Sequence, residues 1–131
     1  MRSLRPPALA GLAVFLAAVL AGCATPPPTE GTGDAVAMRE VQFQPGVLRV
    51  PAGTTVTWTN HDGMLHTVTP ADKTQWGTEG SGDDQARWMG KGATWRHTFA
   101  EPGTYDYYCI PHASKGSDGT WRGMVGTVIV E

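Results

Sequence analysis

Short apolar-rich runs, each closed by Gly, Pro or Asn, follow one another from about residue 36 to the end of this 131-residue chain. Thr54 to Asn60 reads Thr-Thr-Val-Thr-Trp-Thr-Asn, so Val56 and Trp58 share one face and threonines the other, the period of a strand with one buried side. Val36 to Phe43 and Val47 to Val50 read as two short strands broken at Pro45-Gly46. Leu65 to Thr69, ended by Pro70, reads as another, and Ala93 to Phe99, Gly103 to Cys109 and Met124 to Val130 complete the series. Glu101-Pro102-Gly103 makes a tight turn. Residues 71 to 87 are polar and contain Gly77, Gly80 and Gly82, so a long connection with room for a helical turn is expected there. Trp58, Phe99 and Tyr105 fall at core positions, whereas Trp76, Trp88 and Trp121 lie in connections, as packing plugs or docking surface. Many short strands at near-regular spacing predict an all-β fold, a Greek-key β-sandwich of about seven to eight strands.

The N-terminus follows another pattern. Arg2 and Arg5 precede an uncharged apolar run from Ala8 to Ala21, the layout of an export signal and too short to span a membrane comfortably. Leu20-Ala21-Gly22-Cys23 resembles a bacterial lipobox, which predicts a signal peptide over 1–22 and lipidation of Cys23; an ordinary cleaved signal is the alternative. Pro-rich and Gly-rich residues to Asp34 make 23–34 a tether, and 35–131 the folded domain. The expected protein is exported, faces the periplasm or the outside, and is held to a membrane through a lipid anchor. Composition adds little except by exclusion. Seventeen Gly, ten Pro and 17% charged residues suit a turn-rich β protein. The net charge of −2, or −4 once Arg2 and Arg5 leave with a leader, offers no basic footprint, so no nucleic-acid partner is expected.

Lipidation of Cys23 would leave Cys109 alone in an oxidising compartment, where a bound metal protects a thiol. Cys109-Ile110-Pro111-His112 places a thiolate and an imidazole three residues apart on one loop, and His66 and Met124 flank other expected strands. One thiolate, two imidazoles and a thioether form the donor set that best suits a mononuclear type 1 (blue) copper site, with methionine as the weak axial ligand. Met64 and Met89 are rival thioethers, but Met64 lies two residues from His66 and Met89 belongs to no motif. His61 sits in turn sequence, and His97 lies in a strand where packing or exposure is expected. Zinc accepts Cys and His but rarely thioether.

From about residue 36 onward the chain resembles the cupredoxins of the plastocyanin, pseudoazurin and halocyanin group. The resemblance rests on Val50-Pro51-Ala52-Gly53, Val56-Thr57-Trp58, Leu65-His66-Thr67-Val68, Pro102-Gly103-Thr104-Tyr105, Tyr108-Cys109-Ile110-Pro111-His112 and Gly123-Met124-Val125-Gly126. It implies that His66, Cys109, His112 and Met124 ligate one copper ion and that the protein, a monomer, shuttles single electrons between redox protein partners through the edge of His112. A copper carrier or store that hands over the ion itself is the alternative, since the same donors suit Cu(I). Enzymes on this fold use a second copper site and further domains, so no enzymatic activity is expected. Two departures stand out: eleven residues, Ala113 to Gly123, separate His112 from Met124 where relatives have two to four, and Thr67 replaces the Asn that ties the ligand loops together. The added residues are expected to form an excursion returning before Gly123, with Trp121 a candidate to lie over the site. Thr67, the shorter group, is expected to alter loop rigidity and potential.

Overall fold

The computed structural model describes residues 26–72, 76–77 and 88–131. Among the described residues nine strands run in chain order: β1 Glu30–Thr32, β2 Ala35–Arg39, β3 Gln42–Gln44, β4 Val47–Val50, β5 Thr54–Asn60, β6 Thr69–Pro70, β7 Thr94–Phe99, β8 Gly103–Lys115 and β9 Trp121–Val130. Two mixed sheets form, one ordered β1-β4-β9-β8-β6 and the other β3-β2-β5-β7. After β4 the chain crosses from sheet to sheet at each connection up to β8, and the sequential neighbours that pair are β2 with β3 and β8 with β9. This is the all-β sandwich that the sequence predicts, with no helix among the described residues.

Alternation builds the core. On β5, Val56, Trp58 and Asn60 point inward, and on β9 Met124, Gly126, Val128 and Val130 do so. Trp58 is the hub, with ring centroids 5.1 Å from Trp95, 5.7 Å from Tyr107 and 6.2 Å from Phe99. Trp76 is buried beside Phe99 at 5.2 Å, so of the three connection tryptophans it is a packing plug. Gly126 is required by close approach: a Cβ there would run into the Tyr107 ring.

Three sequence expectations change in detail. The run from Val36 to Phe43 is a hairpin rather than one strand, because Glu40 and Val41 adopt left-handed backbone angles, φ 53° and 58°, and reverse the chain between β2 and β3. Glu30–Thr32, read as tether, pairs in parallel with β4. Leu65 to Thr69 is not a continuous strand: His66 makes an isolated bridge to Met89, and only Thr69 and Pro70 pair with β8. The signal segment 1–22, Cys23 and most of the 71–87 connection lie outside the described residues.

Candidate metal centre

The longest hairpin, β8 with β9, carries the centre. Its ladder runs in register from Gly103↔Val130 to Tyr108↔Val125, then resumes at Ala113↔Gly123. Between those pairs, residues 109–112 oppose Met124 alone, so the hairpin bulges outward there. Gly123 makes the bulge possible, because its φ is 96° and any Cβ would strike the His112 carbonyl oxygen. Cys109 and His112 therefore sit on a bulge inside a continuous hairpin rather than at the end of a strand. The residues added after His112 prolong the ladder through Ser114↔Arg122 and Lys115↔Trp121 and turn at 116–120, where Asp118 pairs with Arg122 at 2.6 Å. The expected excursion is thus an ordered hairpin arm. Trp121 stacks on Tyr108, centroids 3.7 Å apart and planes 13° from parallel, the position it takes in place of the expected lid over the site.

His66 enters from the opposite side. Its backbone exchanges hydrogen bonds with Met89 at 3.1 and 2.8 Å, and its ring is fully buried. The preceding turn is built by Asn60, whose side-chain NH₂ donates to the carbonyls of Met64 and Met89 and whose Oδ1 accepts from the Asp62 N–H. His66 Nδ1 lies 3.5 Å from Cys109 Sγ and 3.2 Å from His112 Nδ1, and Cys109 Sγ lies 3.4 Å from His112 Nδ1. A point equidistant from the corners of that triangle is about 1.9 Å from each donor, close to the roughly 2.0 Å bond of a first-row metal to imidazole nitrogen, and a small displacement out of the plane gives the sulfur its longer bond of roughly 2.3 Å. Three donors, two of nitrogen and one of sulfur, thus fit a trigonal ion, and they form the metal-capable group found among the described residues.

Thr67 ties the two halves together. Its N–H donates to Cys109 Sγ at 3.4 Å, and its Oγ1 accepts from the Ile110 N–H at 2.9 Å. Thr67 Oγ1 is itself 3.0 Å from the Thr69 hydroxyl, so the shorter side chain keeps the cross-link between ligand segments. Burial pushes the Cys109 thiol up from its ordinary value, opposed by the Thr67 N–H, so metal entry must displace a proton. Burial, with His66 adding to it and Asp62 opposing, pushes His112 down, which favours the neutral ring that a metal needs.

The remaining sequence candidates sort by position. Met124 is buried on the inward face of β9, opposite the bulge and in the same apolar cluster as Cys109. Met64 is 47% exposed, whereas Met89 is buried and bridged to His66. His61 is exposed. His97 is half-buried and stacks on Trp95 at 5.8 Å, a packing role. Sequence reading missed Asp62, whose carboxylate lies 2.9 Å from His66 Nε2. The available signal was its place four residues before a ligand candidate in a turn-forming sequence.

Residues 32–131 match the family described as copper binding proteins, plastocyanin/azurin family. Halocyanin of Natronomonas pharaonis is 36% identical over 90 residues, covering 68% of this chain and 48% of that protein, so this chain spans about half the length of that relative. Amicyanin-alpha of Methylorubrum extorquens is 34% identical over 96 residues, 73% of this chain and 70% of its own. Among solved structures, a Cu-containing nitrite reductase from Thermus scotoductus superposes with a TM-score of 0.57 at 28% identity, over 87% of this chain and 24% of the enzyme. A family match across the whole sandwich, with the donor triangle at its heart, makes this chain a member of the plastocyanin/azurin family of copper binding proteins.

Proposed function

We propose that the protein is an exported, membrane-tethered carrier of single electrons whose type 1 copper is held by His66, Cys109 and His112, with Met124 as the weak axial donor. The observation that carries this reading is the triangle of two Nδ1 atoms and one Sγ with sides of 3.2 to 3.5 Å. Bound copper supplies a one-electron Cu(II)/Cu(I) couple, and a thiolate ligand gives it an intense visible band. The protein's part is to hold the donors in place in both states. The Thr67 cross-links and the Asn60 turn do so on both sides of the site.

His112 is only partly buried, Pro111 is exposed, and Met64 and Leu65 just before His66 are 47% and 53% exposed. An apolar rim with one accessible imidazole edge suits transient docking of a redox protein, with the electron leaving through His112. Electron carriage rather than catalysis is favoured by the match to the plastocyanin/azurin family of copper binding proteins. Anchoring rests on Cys23, because two or more acyl chains hold a protein stably where one does not. Loss of labelled palmitate incorporation in Cys23→Ala checks it.

Copper-loaded protein should hold one copper per chain, show the intense thiolate band and cycle reversibly without losing the ion. Cys109→Ser should abolish the band, because an alcohol oxygen lacks thiolate covalency. Release of copper on reduction would favour ion delivery instead, and a band that survives in Cys109→Ser would refute the ligand assignment.

A further inference from the structure

His66 has two ring nitrogens, and the structure gives each a different neighbour. Nδ1 faces the Cys109 sulfur and His112, while Nε2 lies 2.9 Å from Asp62 Oδ2. An ionised carboxylate only accepts hydrogen bonds, so the ring proton belongs on Nε2 and the Nδ1 lone pair is left toward the donor triangle.

Asp62 is itself fixed. Its Oδ1 accepts from the Glu40 N–H at 2.9 Å and its Oδ2 from the Val41 N–H at 3.0 Å. Those two amides converge on one carboxylate because Glu40 and Val41 both take left-handed φ angles, uncommon for non-glycine residues and rarer still for a β-branched one. The Asp62 N–H in turn donates to Asn60 Oδ1 at 2.8 Å. A strained hairpin in one sheet, a turn aspartate and a buried imidazole thus form a single chain of hydrogen bonds ending where the metal would sit.

We propose that Asp62 is a positioning residue for the copper centre: it locks His66 in the Nε2–H form and, by drawing on that proton, strengthens Nδ1 as a donor. The inference rests on the ligand assignment proposed above. A stronger nitrogen donor benefits the doubly charged ion more than the singly charged one, so Asp62 favours the oxidised state. Outer partners of ligating histidines are typically worth about 10–100-fold in metal affinity. If Asp62→Asn costs Cu(II) about tenfold more affinity than Cu(I), the reduction potential rises by about 59 mV.

Asp62→Asn keeps the shape and an acceptor oxygen while removing the charge. With the visible band retained, it should bind Cu(II) at least tenfold more weakly and show a raised potential by voltammetry, whereas Asp62→Glu should recover part of both. Pulsed EPR on the copper-loaded wild-type protein gives a second readout that needs no variant: the remote nitrogens of His66 and His112 should show two different quadrupole couplings, the smaller from the ring bonded to carboxylate. A single shared coupling, or a blue Asp62→Asn protein with unchanged potential and Cu(II) affinity, overturns the role of Asp62. Absence of the band in the wild-type protein would instead refute the ligand assignment, and this inference with it.

Discussion

The two histidines of the centre offer the same atom, Nδ1, from opposite kinds of surroundings. His66 is fully buried, bridged to Met89 through its backbone and bonded to Asp62 through its far nitrogen. His112 stands on a bulge, partly open to solvent beside exposed Pro111. The proposed electron carriage needs one side of the centre held still and the other reachable. In the proposed centre the sandwich separates these tasks: turn and core restrain one candidate ligand, and a kink in the longest hairpin presents the other.

Replacing each ring in turn should break the contrast most sharply. His112→Gly opens a gap that reaches solvent, so added imidazole should restore the visible band; His66→Gly leaves a closed cavity, and the band should stay lost at the same imidazole concentration. Recovery of both variants alike would contradict the asymmetry. Thr67→Val should come next, because it leaves the Ile110 N–H without its acceptor, a loss of about 1–3 kcal/mol. In a domain of this size each kcal/mol lowers Tm by roughly 4–8 °C, which calorimetry of the metal-free protein can read.

A smaller change sharpens the axial assignment. Met124→Leu should keep the colour and raise the potential, on the order of 59 mV for a tenfold shift toward Cu(I). Met89→Leu should leave the potential nearly unchanged; the reverse result would move the axial role to Met89. The smallest effect lies in the aromatic core. Burial holds the His97 imidazole below its ordinary 6.5, so as pH falls through that value the unfolded chain takes up a proton that the folded one resists. Stability of the metal-free protein should decline below about pH 6.5, a slope that His97→Gln flattens in pH-resolved thermal melts.

Alternation made the inward face of β5 legible from the sequence, since Val56 and Trp58 repeat at the strand period. Cys109 and His112 were legible through donor chemistry and spacing, and His66 through its motif. The Glu40–Val41 reversal was not, because neither residue favours left-handed angles, and they are held there by the Arg39↔Gln42 pairing around them and by tertiary bonds to Asp62. Asp62 was hidden for the same reason: an aspartate before a glycine reads as turn chemistry. The form taken by residues 113–123 depended on pairing between residues six to ten apart, Lys115↔Trp121 to Ala113↔Gly123, which the alternation along one strand does not encode.

The hairpin arm also bears on how such a centre tolerates change. Because pairing resumes at Ala113↔Gly123, immediately beyond the bulge, the distance between the donors is set at the base of the arm and its reach at the tip. Matched insertions on both rails would lengthen the arm like an extending ladder while the coordination cage stayed at the same rung. The segment is therefore a natural grafting point, where recognition elements can be exchanged without retuning the metal.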